Sequence, residues 1–210
     1  MPSTSPRARQ KILDAASAVF AEEGFAGARV DEIADRAGVN KAMLYYHVGN
    51  KQALYTAVLT RNFDRMEAAL TDEFAADGSA RDRLRSVISG VSEALKDLPD
   101  HPRIVLREFA SGGTNLQPEV IERMVKVLGM VRDLLSDGVR RNEFRATDPI
   151  MTHLTLVGAS LILNTISPLR KRLFEIDPGI GISDDDADVG AFLSDLLLYG
   201  IATSGFGEAT

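Results

Sequence analysis

The side chains best suited to bind a partner fall in one short segment and are cations, phenols and an imidazole: Lys41, Tyr45, Tyr46, His47 and Lys51. From residue 36 to residue 51 the chain has three cations and no acid. Such groups suit contacts with phosphates and base edges. No nucleophile–base pair, paired carboxylates or cofactor loop occurs in a supporting context, so we expect no catalytic residues, no cofactor and no enzymatic activity.

Two short helices joined by a tight turn are predicted to position these side chains. The first helix carries an apolar stripe formed by Val30, Ile33, Ala34 and Ala37. Gly38 ends it, because glycine adopts the left-handed backbone conformation that other residues resist. The second helix starts at Lys41 and turns Leu44 inward. At about 100° per residue, its outward face consists of Ala42, Met43, Tyr45 and Tyr46. This pattern predicts a helix-turn-helix whose second helix enters the major groove of DNA.

An ordered set of motifs over roughly residues 7–59 is similar to the tetracycline-repressor family of transcriptional regulators. The motifs are Phe20-Ala21-Glu22-Glu23-Gly24-Phe25, Ile33-Ala34, Ala37-Gly38-Val39, Leu44-Tyr45-Tyr46-His47 and Lys51-Gln52-Ala53-Leu54. The resemblance implies an all-α fold with a three-helix helix-turn-helix head over residues 7–66. It implies a helical ligand-binding and dimerisation body over residues 67–210. The function it implies is sequence-specific regulation of transcription, by a repressor that a small molecule releases from a palindromic operator on double-stranded DNA.

The resemblance places the DNA contacts on nine residues: Arg29, Asn40, Lys41, Ala42, Met43, Tyr45, Tyr46, His47 and Lys51. Lys51 matches a phosphate-binding lysine at a helix N-terminus, where the helix dipole adds attraction for an anion. Arg29 departs from the family pattern, which has Ser or Thr at this position to cap the second helix. We expect the cap to be weaker by about 0.5–2 kcal/mol. We hypothesise that the Arg29 guanidinium contacts a phosphate instead.

Helical periodicity continues through the rest of the chain and predicts about nine helices in total. A long helix is expected over residues 50–74, with Asn50 as its cap. Two late segments, 149–173 and 189–201, are apolar on more than one face. Because such a helix needs a second partner, and the family forms a four-helix dimer interface, we expect a homodimer. Its expected interface residues are Leu154, Gly158, Leu161, Ile162, Phe192, Leu196 and Tyr199. Burial within the chain's own core is the alternative.

A pocket for an uncharged or amphipathic effector is expected between helices of the body. Its candidate apolar lining consists of Phe63, Met66, Phe109, Met124 and Leu128. Its candidate polar anchors are Arg107, Asn164 and Thr165. Simple core packing is the alternative for each of these residues.

Composition limits the remaining possibilities. The 210 residues include no cysteine, which excludes disulfide scaffolds and thiolate metal sites and fits a reducing cytoplasm. The N-terminus has no apolar core typical of a signal peptide, and the most apolar stretch is shorter than the ~20 residues that span a bilayer. We therefore expect a cytoplasmic protein without a membrane partner. The net charge of −6 comes from the body, because residues 1–60 have 7 basic and 6 acidic residues.

Two other functions stay open. An architectural or nucleoid-associated DNA-binding protein would share the same fold, and a helical enzyme could carry an incidental helix-turn-helix. The run Asp184-Asp185-Asp186-Ala187-Asp188 matches a magnesium-binding pattern of helical synthases. We interpret it as a solvated acidic run before a helix N-terminus. No second metal ligand stands at helical spacing from any histidine, so we expect no metal site.

Overall fold

The computed structural model describes residues 6–75, 77–177, 179 and 188–201. These residues form ten helices: α1 (Pro6–Gly27), α2 (Val30–Ala37), α3 (Lys41–Val48), α4 (Lys51–Ala75), α5 (Ala80–Lys96), α6 (His101–Ala110), α7 (Pro118–Arg140), α8 (Pro149–Thr165), α9 (Ser167–Ile176) and α10 (Val189–Ile201). The all-α prediction with an N-terminal helix-turn-helix is confirmed.

The expected helix over 149–173 is wrong, because the chain forms two helices there, α8 and α9, which are bent by 61°. Pro168 lies in the first turn of α9. A proline has no N–H for the preceding turn and its ring clashes with the carbonyl four residues back, so a helix cannot continue through it undisturbed. This break separates two helices that we expected to be one.

The side-chain cap predicted at Asn50 is present. The Asn50 side-chain oxygen accepts a hydrogen bond from the N–H of Ala53 at 2.8 Å, at the start of α4. Gly38 ends α2 in the left-handed region, at φ 67° and ψ 35°. Gly24 has a φ of 71° but does not end α1, which continues after a kink to Gly27. Gly38 therefore forms the turn after α2, whereas Gly24 only kinks α1.

The chain divides into two compact units. The first unit contains residues 6–64 together with residues 98–123, so α6 and the start of α7 pack with the helix-turn-helix. Its core joins Phe20 of α1, Ile33 of α2, Leu44 of α3 and Tyr55 of α4 to Ile104 of α6. The part of the chain that folds with the head is therefore not one continuous N-terminal segment.

The second unit contains residues 65–97 and 124–201 as far as they are described. Its core is built by α5, α7, α8 and α10 around Leu84, Ile88, Leu135 and Leu156. Phe144 is buried against Gly138 of α7, where any Cβ atom would overlap the phenyl ring. This unit holds most of the residues that we expected in a ligand pocket and all those expected in a dimer interface.

No single helix in the described part of the chain is both long and apolar enough to cross a bilayer. The bent pair α8 and α9 meets the criterion of length and composition only when the two helices are taken together.

Candidate nucleic-acid interface

The outward face of α3 is the most exposed aromatic surface of the first unit. Leu44 is buried in the core, while Tyr46, two residues later, is 70% exposed. Met43 and Tyr45 are also exposed beside it, as is the small Ala42. The geometry agrees with the helical-wheel argument, which placed Tyr46 opposite Leu44. A phenol standing free of the core can hydrogen-bond to a phosphate or base edge.

Asn40 holds the start of α3. Its side-chain oxygen accepts a hydrogen bond from the N–H of Met43 at 2.7 Å, and its backbone is extended. This bond satisfies one of the amides that a helix start leaves unpaired. Asn40, which the sequence suggested as a DNA contact, caps α3.

Lys41 is held by an acid that sequence reasoning did not single out. Its ammonium nitrogen lies 2.7 Å from Oδ1 of Asp31 on α2. The hydrogen bond from Lys41 lowers the pKa of Asp31, and that carboxylate raises the pKa of Lys41. The ion pair joins the first turns of α2 and α3. No spacing rule for one helix could have found it, because the two residues lie on different helices.

Lys51 lies at the N-terminus of α4 and against the end of α1. Its Nζ donates a hydrogen bond to the carbonyl oxygen of Ala26 at 3.1 Å and lies 5.0 Å from the centre of the Phe25 ring. Burial lowers the pKa of Lys51. These contacts require the chain after Gly24 to turn toward α4. Lys51 is also the first residue of α4, and the free amides of a helix N-terminus attract anions.

Arg29 and His47 complete the predicted contacts. Arg29 precedes α2 with an extended backbone, at φ −108° and ψ 130°, and its side chain makes no cap hydrogen bond. It is exposed. His47 is half-buried, and its ring stands edge-on to that of Tyr46 with 5.6 Å between the centres. The missing cap at Arg29 agrees with the prediction drawn from its side chain.

A network of hydrogen bonds, buried in part, connects α4 to α6 and to Asn115, which follows α6. The Tyr55 hydroxyl donates a hydrogen bond to Oε1 of Glu108 on α6 at 2.7 Å, and Glu108 is only 3% exposed. The Asn115 side-chain amide donates to the same oxygen at 3.0 Å, while Gln52 donates to the Asn115 carbonyl at 2.9 Å. Sequence reasoning missed this network, because an isolated acid in an amphipathic helix gives no signal of a partner 53 residues away.

The candidate ligand residues are distributed over both units. In the first unit, Phe63 packs edge-on against the buried His101, and Phe109 is exposed. Arg107 donates to the backbone carbonyl of Glu22 at 2.8 Å, which gives it a structural role at the end of α1. The second unit contains the half-buried Met66, Met124, Leu128, Asn164 and Thr165.

Two polar candidates in the second unit differ in their bonding. Asn164 donates to the carbonyl of Ser160 at 2.8 Å, within its own helix. Oγ1 of Thr165 is buried without a hydrogen-bond partner in the part of the chain that the structure describes.

An apolar surface does lie along α8 and α10, where we expected the dimer interface. Its exposed large side chains include Leu154, Ile162, Phe192, Leu196 and Tyr199. Gly158 is half-buried on α8, with open space where a Cβ would stand. Leu161 differs, because it is only 3% exposed and is covered by its own chain. It therefore has almost no surface left to contact a second copy.

No metal-binding cluster forms among the described residues, since nowhere do three His, Asp or Glu side chains gather in a suitable group. Of the acidic run, Asp184, Asp185 and Asp186 lie outside the described residues. Asp188 is described, and its side chain accepts a hydrogen bond from the N–H of Ala191 at 2.9 Å. It thus acts as a cap at the start of α10.

Comparisons with known proteins agree with this geometry. Residues 12–58 match the family described as bacterial regulatory proteins of the tetR family, and residues 77–163 match the tetracyclin repressor-like C-terminal domain. The chain is 33% identical over 170 residues to the HTH-type transcriptional activator FasR of Mycolicibacterium smegmatis, covering 78% of this chain and 75% of that protein. It is 29% identical over 202 residues to the HTH-type transcriptional repressor NicS of Pseudomonas putida, covering 93% and 92%.

The fold is also found among solved structures. The ketosteroid transcriptional regulator KstR2 of Mycobacterium tuberculosis superposes with a TM-score of 0.70 at 20% identity, over 92% of this chain and 94% of that one. An identity this low supports the shared fold alone.

Proposed function

Because the chain belongs to the TetR family and is a DNA-binding transcriptional regulator, we propose that it is a dimeric repressor released from a palindromic operator by a small molecule. The observation that carries this proposal is the outward face of α3. Tyr46 stands 70% exposed on a helix that Asn40 caps and Leu44 anchors in the core. A rigid helix with exposed hydrogen-bonding side chains suits the major groove.

The surrounding residues divide into two roles. Lys51 and Arg29, each next to a helix N-terminus, bind phosphates and fix the position of the head on the duplex. Ala42, Met43, Tyr45 and Tyr46 face the bases, with His47 at the edge of the groove. Phosphate contacts carry little sequence information, so the operator preference resides in the α3 face.

The exposed apolar face of α8 and α10 supports the homodimer. Phe192, Leu196 and Tyr199 repeat along one side of α10, and Leu154 lies on the exposed side of α8. A two-fold axis through this face would duplicate the head. Two copies of α3 would then contact half-sites about 34–36 Å apart. We leave Leu161 out of this interface because its own chain already buries it.

We place the effector site in the second unit, beside the half-buried apolar residues Met124 and Leu128 of α7. Such a lining favours an uncharged or amphipathic molecule that enters the cytoplasm. Binding would shift the population toward a state with low operator affinity, and by linkage the operator would weaken effector binding equally. A compound that binds the chain but leaves operator affinity unchanged is not the effector.

The proposal is tested by selecting bound duplexes from a randomised pool at ~150 mM salt, where nonspecific phosphate binding is weak. We expect a palindrome to be enriched by the wild-type chain and lost in the double variant Lys41→Ala, Tyr46→Ala. Lys96→Ala is the control, because Lys96 lies on the surface of the second unit, where it pairs with Glu93.

If the chain is a folded dimer and enriches no sequence, the proposal is contradicted and an architectural DNA-binding role is favoured.

A reporter gene placed downstream of the selected palindrome gives the direction of regulation. Lower expression in the presence of the chain supports a repressor, whereas higher expression contradicts that part and indicates an activator.

The dimer is tested separately by sedimentation of the variant Leu196→Glu. A charge in an apolar interface core is strongly unfavourable, so we expect monomers and weak operator binding. The matched control is Arg132→Glu, which places the same side chain at an exposed position of α7. A Leu196→Glu chain that stays dimeric would contradict the proposed interface.

A further inference from the structure

We propose that Asp31 is a positioning residue for DNA recognition, which holds the Lys41 ammonium at the start of α3 and away from the phosphate backbone. The inference rests on the proposed function, since it concerns the same interface. The Oδ1 of Asp31 lies 2.7 Å from Nζ of Lys41, and both side chains are about half exposed. A carboxylate at a surface that binds a polyanion calls for an explanation, because it repels phosphates.

The ion pair joins the starts of the two helices of the helix-turn-helix. Lys41 is the first residue of α3, and Asp31 is the second residue of α2. The N-terminal residues of a recognition helix approach the base edges, while the preceding helix crosses the backbone. Arg29 is the other charged group that acts on both residues. It is exposed, precedes α2 and makes no cap hydrogen bond, so its charge also faces solvent here.

Without Asp31, Lys41 would be a mobile cation. A lysine ammonium is a compact charge on a flexible stem of four carbons. Every DNA sequence offers it phosphates, and nonspecific binding is supplied almost entirely by such contacts. While Lys41 stays paired with Asp31, it contacts no phosphate and releases no counterion from the DNA. If Lys41 leaves Asp31 for a phosphate, the exposed carboxylate takes up a cation from solution, and this uptake offsets the counterion released. In both cases the net number of counterions released is close to zero.

The same restraint favours the operator over other sequences. An ammonium held at the start of α3 can reach a guanine edge, which is a specific contact. Released from Asp31, it would move to the backbone and strengthen binding to all sequences alike. The carboxylate therefore reduces binding to random DNA more than it reduces binding to the operator.

The experiment measures binding to a random duplex and to the selected operator between 50 and 200 mM salt, for the wild type and Asp31→Asn. We expect the slope of log K against log salt for the random duplex to become steeper by about 0.9, the contribution of one additional phosphate. Over this salt range that is a further loss of about threefold to fourfold. The ratio of operator to random affinity should fall.

Two further variants make the result specific. In a Lys41→Ala background, Asp31→Asn should leave the slope unchanged, because the freed cation is missing. Asp35→Asn removes an exposed acid from the same helix, one with no ion pair among the described residues, and should change neither slope nor ratio. Circular dichroism and thermal melting confirm that each variant is folded.

Several results would overturn the proposal. An unchanged slope and ratio in Asp31→Asn would do so, as would a steeper slope that persists in the Lys41→Ala background. The latter would mean that Asp31 acts by direct repulsion. The slope on random DNA needs no operator, so it tests Asp31 alone, whereas failure to enrich a palindrome contradicts the proposed function instead.

Discussion

Replacing Tyr55 with phenylalanine removes a single oxygen atom from the buried support of α4. The hydroxyl donates to Oε1 of Glu108 at 2.7 Å, and the carboxylate is 3% exposed. The ring would keep its contacts with Phe20 and Phe25, whose centres lie 4.7 and 5.0 Å away. The substitution therefore isolates the hydrogen bond from the packing.

The expected loss of stability follows from the charge and burial of the acceptor. A hydrogen bond to a charged group contributes about 1.5–3 kcal/mol. Without the Tyr55 hydroxyl, the Glu108 carboxylate would keep its hydrogen bonds from Asn115. For a chain of this length, a loss of about 2 kcal/mol lowers Tm by about 4–8 °C. Thermal and urea unfolding at pH 7 measure it. The exposed Tyr46→Phe is the matched control and should change stability by less than about 0.5 kcal/mol.

The same variant has a signature at alkaline pH. Burial and the bond to Glu108 raise the pKa of Tyr55 above its ordinary value. Above pH ~10 the unfolded chain loses the tyrosine proton while the folded chain keeps it, so wild-type stability falls as the pH rises. Phenylalanine has no proton to lose, and the variant should show a shallower alkaline decline. Equal stability at pH 7, or an unchanged alkaline decline, would refute this account of the network.

Three other substitutions give separate checks. Arg29→Ser should stabilise the chain by about 1 kcal/mol, because a serine oxygen can cap α2. The same change should reduce the salt slope of DNA binding by about 0.9 if the guanidinium binds a phosphate. Burial lowers the pKa of His101 to about 4. Between pH ~6.5 and ~4 the unfolded chain therefore binds more protons at this residue than the folded chain does. Stability falls as the pH is lowered, with a contribution from His101 of up to about 1.4 kcal/mol per pH unit, and His101→Gln should remove that contribution in urea unfolding measured across this range. Gly138→Ala should destabilise the second unit by about 1–3 kcal/mol, measured by urea unfolding, because its Cβ would overlap the Phe144 ring.

Local signals in the sequence were sufficient for most helix boundaries. Asn40, Asn50 and Asp148 each cap the helix that follows, and a cap depends on residues only three positions apart. The failures occurred where a local signal had two structural outcomes. Gly24 has a positive φ, which often marks the end of a helix, but the chain resumes helical bonding afterwards and α1 continues to Gly27. The residue after it, Phe25, contacts Tyr55 and Lys51 of α4, and such contacts between helices are not visible in a local pattern.

The outward face of α3 could be predicted because a helix fixes which residues oppose a buried one. Leu44 and Tyr46 lie on the expected sides. The pairing partners could not be predicted, since Asp31 and Glu108 each meet a residue of another helix. Periodicity describes one helix at a time and gives no distance between two. The hydrogen bond from Arg107 to the Glu22 carbonyl could not be predicted either, for the same reason.

The position of Lys51 shows how far the candidate interface depends on residues outside the helix-turn-helix. Its ammonium is held by the Ala26 carbonyl and the Phe25 ring, both in the last turn of α1. That turn is in contact with α6, because Arg107 donates to the Glu22 carbonyl and packs within reach of Gly24. The next residue of α4, Gln52, is bonded to Asn115 after α6. We therefore expect a change that loosens α6 to move Lys51 at the candidate interface without touching α3, because α6 belongs to the same compact unit as the helix-turn-helix.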